Sequence, residues 1–212
     1  VPNGCVLCRR PRASGRCMTL SRSSDQRLVP YFHLAGVPYP PATLYFLGFK
    51  AEKRLEVWAK HQDAWVFIRA YVIEAASGTS GPKLREGDAQ VPEGFYTIEA
   101  FNPNSRFHLS MKLDYPNAFD RLQAALDGRD QLGGDIFLHG KAVSEGCVAM
   151  GDEAIEELFV LVARVGSDQV EVLLAPYDFR QHTVGSDSDR PPWVEVLYEE
   201  MQRELGKFTG AP

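Results

Sequence analysis

His139 and Cys147 lie close together in DIFLHGKAVSEGCVAMGDEAIEEL, residues 135–158, and their types could carry out nucleophilic acyl transfer. A cysteine nucleophile needs a base within hydrogen-bond reach, a group that holds the base in one tautomer, and donors aimed at the developing oxyanion. The stretch supplies a candidate for each. His139 can face Cys147 across the loop 140–146. Gly140, lacking a side chain, can turn its carbonyl toward the imidazole Nδ1, and the turn Ser144, Glu145, Gly146, Cys147 can leave the N–H groups of Gly146 and Cys147 pointing into one cavity. A helix start just past the cysteine favours thiolate, though less than an adjacent imidazolium would. The plainer alternative is a buried, inert cysteine beside a core histidine.

The elements that must position these residues are mostly strands. Residues 43–60 read as two strands around a turn near Ala51 and Glu52, with Leu44, Phe46, Leu55 and Val57 alternating, and residues 64–77 as a third. Further strands are expected at 95–100, over RFHLSMKL, over GDIFLHG ending at His139, and over DQVEVLLAPYDF. Phe119, Leu122, Ala125 and Leu126 predict a short helix closed by Gly128. Ile155, Leu158, Phe159 and Val162 predict a longer one, with Asp152 as N-cap and Gly166 as stop, and an amphipathic helix follows Pro191 and Pro192. Strands come first and helices late, without a repeating βαβ unit. The fold class expected is therefore α+β, with a mixed or antiparallel sheet and a few peripheral helices.

Residues 1–30 have neither strand nor helix period and read as an arm, followed by the proline-rich GVPYPPATL at 36–44, which cannot be a central strand. The expected division is an N-terminal extension, 1–41, and one main domain, 42–212. The chain has 212 residues, 44% hydrophobic, enough for one well-filled core. Its net charge of -5, from 23 basic and 28 acidic residues without a long basic run, gives no reason to expect nucleic acid as a partner. No apolar stretch approaches the roughly 20 residues of a membrane helix, so a soluble chain without a transmembrane segment is expected. Because the sequence begins at Val1, an export signal is presumed already removed. Cys5, Cys8 and Cys17 could form a disulfide with a spare thiol, or three metal ligands with His33 as a distant fourth, and the first reading is favoured. No metal or cofactor is expected.

The run from His139 and Gly140 to Ser144, Gly146 and Cys147 resembles the catalytic motif of the L,D-transpeptidase catalytic domain, often called YkuD-type. KLREGDAQVPEGFYTI resembles the K-x-G-D-x-x-T-P-E-G-x-Y-x-I segment of that family. NPNSRFHLSMKLDYPNAFD resembles its YafK-like branch, and the likeness covers about residues 42–200. The resemblance implies a β-rich catalytic domain in which Cys147 is acylated, His139 is its base, Gly140 orients the imidazole, and Ser144 and Gly146 form the oxyanion turn. It further implies a substrate-cleft wall containing His108 and Ser110, which the strand spacing sets on one face. Glu145 replaces a histidine found in many members, Ala149 replaces their arginine or asparagine, and the gap from His139 to Cys147 is short. These departures fit the YafK-like branch and leave the acyl acceptor open. The implied activity is cysteine-dependent acyl transfer on peptidoglycan stem peptides at the L-centre of meso-diaminopimelate. Its outcome is transpeptidation or hydrolysis, including release of a peptidoglycan-linked lipoprotein, in the periplasm or bacterial cell envelope. Acylation by carbapenems is a family trait. The rival reading is a catalytically idle, peptidoglycan-binding envelope module.

Overall fold

The computed structural model describes residues 14–183, 185 and 190–210. Strands β1 (Leu44–Phe49) and β2 (Arg54–His61) form the hairpin around Ala51 and Glu52, and β3 (Ala64–Val72) pairs antiparallel with β2. The remaining strands are β4 (Ala75–Ala76), β5 (Gly94–Ser105), β6 (His108–Leu113), β7 (Phe137–His139), β8 (Val148–Ala149) and β9 (Val170–Ala175). Together they make a nine-stranded sheet in the order β3-β2-β1-β9-β5-β6-β7-β8-β4. The β1–β9 and β7–β8 pairs are parallel and the others antiparallel, so the mixed α+β class is what forms.

Four α-helices flank the sheet among the described residues: α1 (Ser14–Leu34), α2 (Ala118–Leu126), α3 (Asp152–Val165) and α4 (Pro192–Leu205). Central strands β1 and β9 are covered on both faces. On one face Leu44, Phe46, Val172 and Leu174 pack with Leu28 and Phe32 of α1 and Ile155, Leu158, Phe159 and Val162 of α3. On the other, Tyr45, Leu47, Phe49 and Leu173 pack with Val194, Leu197, Tyr198 and Met201 of α4. A strand buried on both sides reads as the unbroken apolar run LYFLGF rather than as an alternation.

Over residues 14–30, helix α1 corrects the reading of residues 1–30 as an arm without periodicity. Its serines, arginines and internal Pro30 obscure the helical signal, and among its described side chains the fully buried stripe is Ser24, Leu28 and Phe32, spaced four apart. Ion pairs fasten it: the Arg27 guanidinium donates to Glu157 at 2.6 Å and to Glu156 at 3.1 Å, and Arg164 of α3 is bonded to Asp25. Asn117 caps α2 in a reciprocal capping box with Asp120. Gly151, not Asp152, occupies the N-cap of α3; the Asp152 carboxylate instead accepts the Lys141 backbone N–H at 2.9 Å. Gly166 ends that helix as expected. Cys5 and Cys8 lie outside the described residues, and Cys17 falls within α1 where only the backbone is described, so their pairing is not addressed by this fold.

Candidate active site

Strand register brings the two reactive residues to one face. In the parallel β7–β8 pair Leu138 lies opposite Val148 and His139 opposite Ala149. Side chains alternate, so Cys147, two before Ala149, shares the face of His139, while Leu138 and Val148 point into the core. On the other side of β7, Ser110 of β6 stands directly opposite His139. Ala149 puts only a methyl group beside the imidazole.

The His139 ring is buried, and its Nδ1 lies 2.6 Å from the carbonyl oxygen of Gly140. A carbonyl can only accept, so Nδ1 carries the proton and the neutral ring keeps Nε2 as its acceptor. Phe107 stacks over this ring, with centroids 4.7 Å apart. Gly140 is required for close approach: a Cβ there would meet the Phe107 carbonyl oxygen at 2.6 Å and Asp152 Oδ1 at 2.7 Å. Burial holds the imidazole below its ordinary pKa, with the Gly140 bond acting against that shift.

Cys147 is half-buried, and its thiol donates to the carbonyl of Asp135 at 3.6 Å. Burial pushes the thiol pKa up; the Phe137 N–H donating to sulfur opposes this, the Asp135 charge adds to it, Lys83 opposes it and Glu145 adds to it. The two groups are thus poised as neutral thiol and neutral imidazole, not as the partly ionised sulfur that a neighbouring imidazolium would produce.

The turn before the cysteine is tied from two directions. Ser144 Oγ donates to the Cys147 carbonyl at 2.6 Å, and Gly146, at φ 83°, donates its N–H to Ser77 Oγ at 2.6 Å. The Gly146 N–H, expected to point free into the cavity, is therefore already engaged by a side chain. Ser77 ends the expected third strand, where the glycine- and serine-rich SGTSG begins, with no distinguishing sequence signal. Phe107 was visible only as part of the FHLS run.

His108 departs from the spacing argument. Its φ of 73° takes it out of the strand alternation, and its Nε2 lies 2.9 Å from Glu156 of α3, whereas Ser110 stays on the His139 face. Glu145 is exposed. Lys83 braces its loop, donating to Arg85 O at 2.9 Å and Asp88 at 2.6 Å, and Glu93 accepts from Lys50 and the Gly81 N–H. His182 packs on Tyr177, and Trp193 donates to Asp127 at 2.9 Å. Among the described residues no group of three or more histidine, cysteine or acidic side chains is arranged to hold a metal.

Residues 45–172 match the YkuD family, the L,D-transpeptidase catalytic domain. The chain belongs to that family. It is 33% identical over 139 residues to "Putative L,D-transpeptidase YafK" of Escherichia coli (strain K12), covering 63% of this chain and 54% of that protein. The chain thus spans about half the length of the curated relatives it matches. Its fold is similar to that of the helical cell shape determining protein Pgp2 from Campylobacter jejuni, with a TM-score of 0.52 and 21% identity over 88% of this chain and 64% of that one. The K307A mutant of Pgp2 gives a TM-score of 0.53 at 22% identity, over 87% of this chain and 64% of that one. This L,D-transpeptidase-family chain has no helix long and apolar enough to cross a membrane among its described residues.

Proposed function

We propose that residues 42–212 form a cysteine acyl-transfer unit acting on peptidoglycan stem peptides in the bacterial envelope, with α1 bracing it from the N-terminal side. The observation that carries this reading is the 2.6 Å bond from His139 Nδ1 to the Gly140 carbonyl, which leaves Nε2 free to take a proton on the face where Cys147 stands. Cys147 is the nucleophile, His139 the base and Gly140 the residue that positions it.

Because the pair is neutral, deprotonation accompanies attack. The thiol turns from the Asp135 carbonyl toward Nε2, and sulfur adds to the carbonyl on the L-centre of meso-diaminopimelate as its proton passes to the imidazole. On collapse the C–N bond breaks and the departing amine takes that proton, leaving a thioester. Water then gives hydrolysis, and an incoming amine gives a cross-link. Family membership and the likeness to YafK support this substrate class. Release of a peptidoglycan-linked lipoprotein is the hydrolytic outcome this reading favours.

Purified peptidoglycan fragments, and fragments carrying a linked lipoprotein, incubated with the chain and followed by mass spectrometry, separate the outcomes. Shortened stems, cross-linked dimers and freed lipoprotein each mark one. Both Cys147→Ala and His139→Ala are expected to abolish whichever appears; undiminished turnover by either rules this scheme out, and no product from the wild type leaves only a binding role.

A further inference from the structure

The strand on the other side of the nucleophile carries a hydroxyl that the scheme above has not used. In the antiparallel β4–β8 pair Ala75 lies opposite Ala149 and Ala76 opposite Val148. Carried one residue further, this register sets Ser77 level with Cys147 and on the same face. On the β7 side the same extension sets Phe137 level with Cys147, with His139 two positions further along on the same face, and Ser77 stands on the β4 side. Ser77 is half-buried, not sealed beneath the turn.

The hydrogen bonds assign the hydroxyl its direction. One Ser77 Oγ lone pair accepts the Gly146 N–H at 2.6 Å, where an oxyanion would otherwise sit. Ser144 Oγ, 3.4 Å away, is too distant for a good O–H···O bond, and the Ser144 proton is committed to the Cys147 carbonyl at 2.6 Å. The Ser77 proton is therefore left without a strong acceptor, and its oxygen is polarised by the N–H it accepts.

Resting on the assignment of Cys147 as nucleophile, we propose that Ser77 is a further catalytic residue: its hydroxyl relays the Gly146 N–H and itself donates to the oxyanion of the tetrahedral intermediate. As sulfur adds to the carbonyl carbon, the π pair moves onto oxygen, and that oxygen accepts a hydrogen bond from Ser77 without proton transfer. When the C–N bond breaks the carbonyl re-forms and the Ser77 bond weakens. The donor thus acts where charge develops and not on the resting substrate.

The test sets acylation against alkylation in the full chain. Acyl-enzyme formation at Cys147, with stem-peptide fragments and with a carbapenem, is timed by mass spectrometry with peptide mapping. Iodoacetamide labelling of the same sulfur, which passes through no oxyanion, is timed in parallel. Ser77→Ala is expected to slow acylation about a hundredfold, in the range for removal of one oxyanion donor, and to leave labelling nearly unchanged. Ser77→Thr, which keeps a hydroxyl, should recover most of the rate. Parallel loss of acylation and labelling in Ser77→Ala, or full acylation without the hydroxyl, overturns the assignment. If instead the wild type forms no acyl adduct at Cys147 with either probe, or Cys147→Ala still turns over fragments, the nucleophile itself is misassigned and the failure lies in the reading beneath.

Discussion

At the scale of single residues, the proposed scheme makes the protonation of His139 decide when the site can work. Burial of His139 disfavours the imidazolium, so more acid is needed to protonate Nε2 than the ordinary histidine value of about 6.5 implies. The acid limb of kcat/KM is accordingly expected below that value, with activity lost only as pH falls through it. Phe107 is part of the cover, 42% exposed itself while the ring beneath it is 2% exposed. Phe107→Ala should admit water and move the acid limb upward, toward the ordinary value, in a pH–rate profile. Gly140 is constrained more sharply. Gly140→Ala forces a methyl against the Phe107 carbonyl and should cost about 1–3 kcal/mol in denaturant unfolding, as overpacking does. Activity should fall further than stability, because the backbone that must yield carries the carbonyl holding Nδ1.

Among the elements, α3 is the junction on which the site and the N-terminal helix both depend. Its Glu157 is 1% exposed and accepts from Arg27 of α1, Arg69 of β3 and the Tyr71 hydroxyl. Removing that carboxylate leaves the partly buried Arg69 guanidinium without its ion partner and takes from Arg27 its shorter bond, leaving it Glu156. Glu157→Ala is expected to destabilise by about 3–5 kcal/mol, the range for breaking a buried pair from one side. Thermal melts should show the loss, and hydrogen exchange should show α1 opening earlier than in the wild type. The helix was hard to read in advance because Leu28 and Phe32 are its main buried contacts in a run of serines and arginines, and its ionic partners lie about 130 positions away. By contrast α3 and α4 carry dense buried apolar stripes, while α2, whose Leu122 and Leu126 face solvent, is marked locally by its Asn117 cap and by Gly128 after its end, so all three were legible from nearby residues.

For the whole molecule, sheet order imposes a late dependence on the C-terminal half. Strand β9 lies between β1 and β5, so the two parts of the sheet meet only when residues 170–175 are in place. A chain ended at residue 166 should lack the cooperative unfolding transition of the full chain in calorimetry. Removing residues 1–41 tests the proposed catalytic boundary at 42. Loss of Leu28 and Phe32 bares the core beneath α1, and a lower melting temperature is expected even if Cys147 remains reactive.

Sequence by itself determined the strand-rich α+β class, the helices α2 to α4 and the family resemblance, because these rest on local periodicity, turn chemistry and short motifs. It also singled out His139, Gly140 and Cys147, whose spacing lies within one strand-loop-strand segment. Only tertiary structure decided that α1 is a packed helix, that β9 is central, that His108 leaves its strand face for Glu156, and that Ser77 takes the Gly146 N–H. Each depends on contacts between segments distant in the chain, and the energy of such a contact appears only once the backbone brings both partners together.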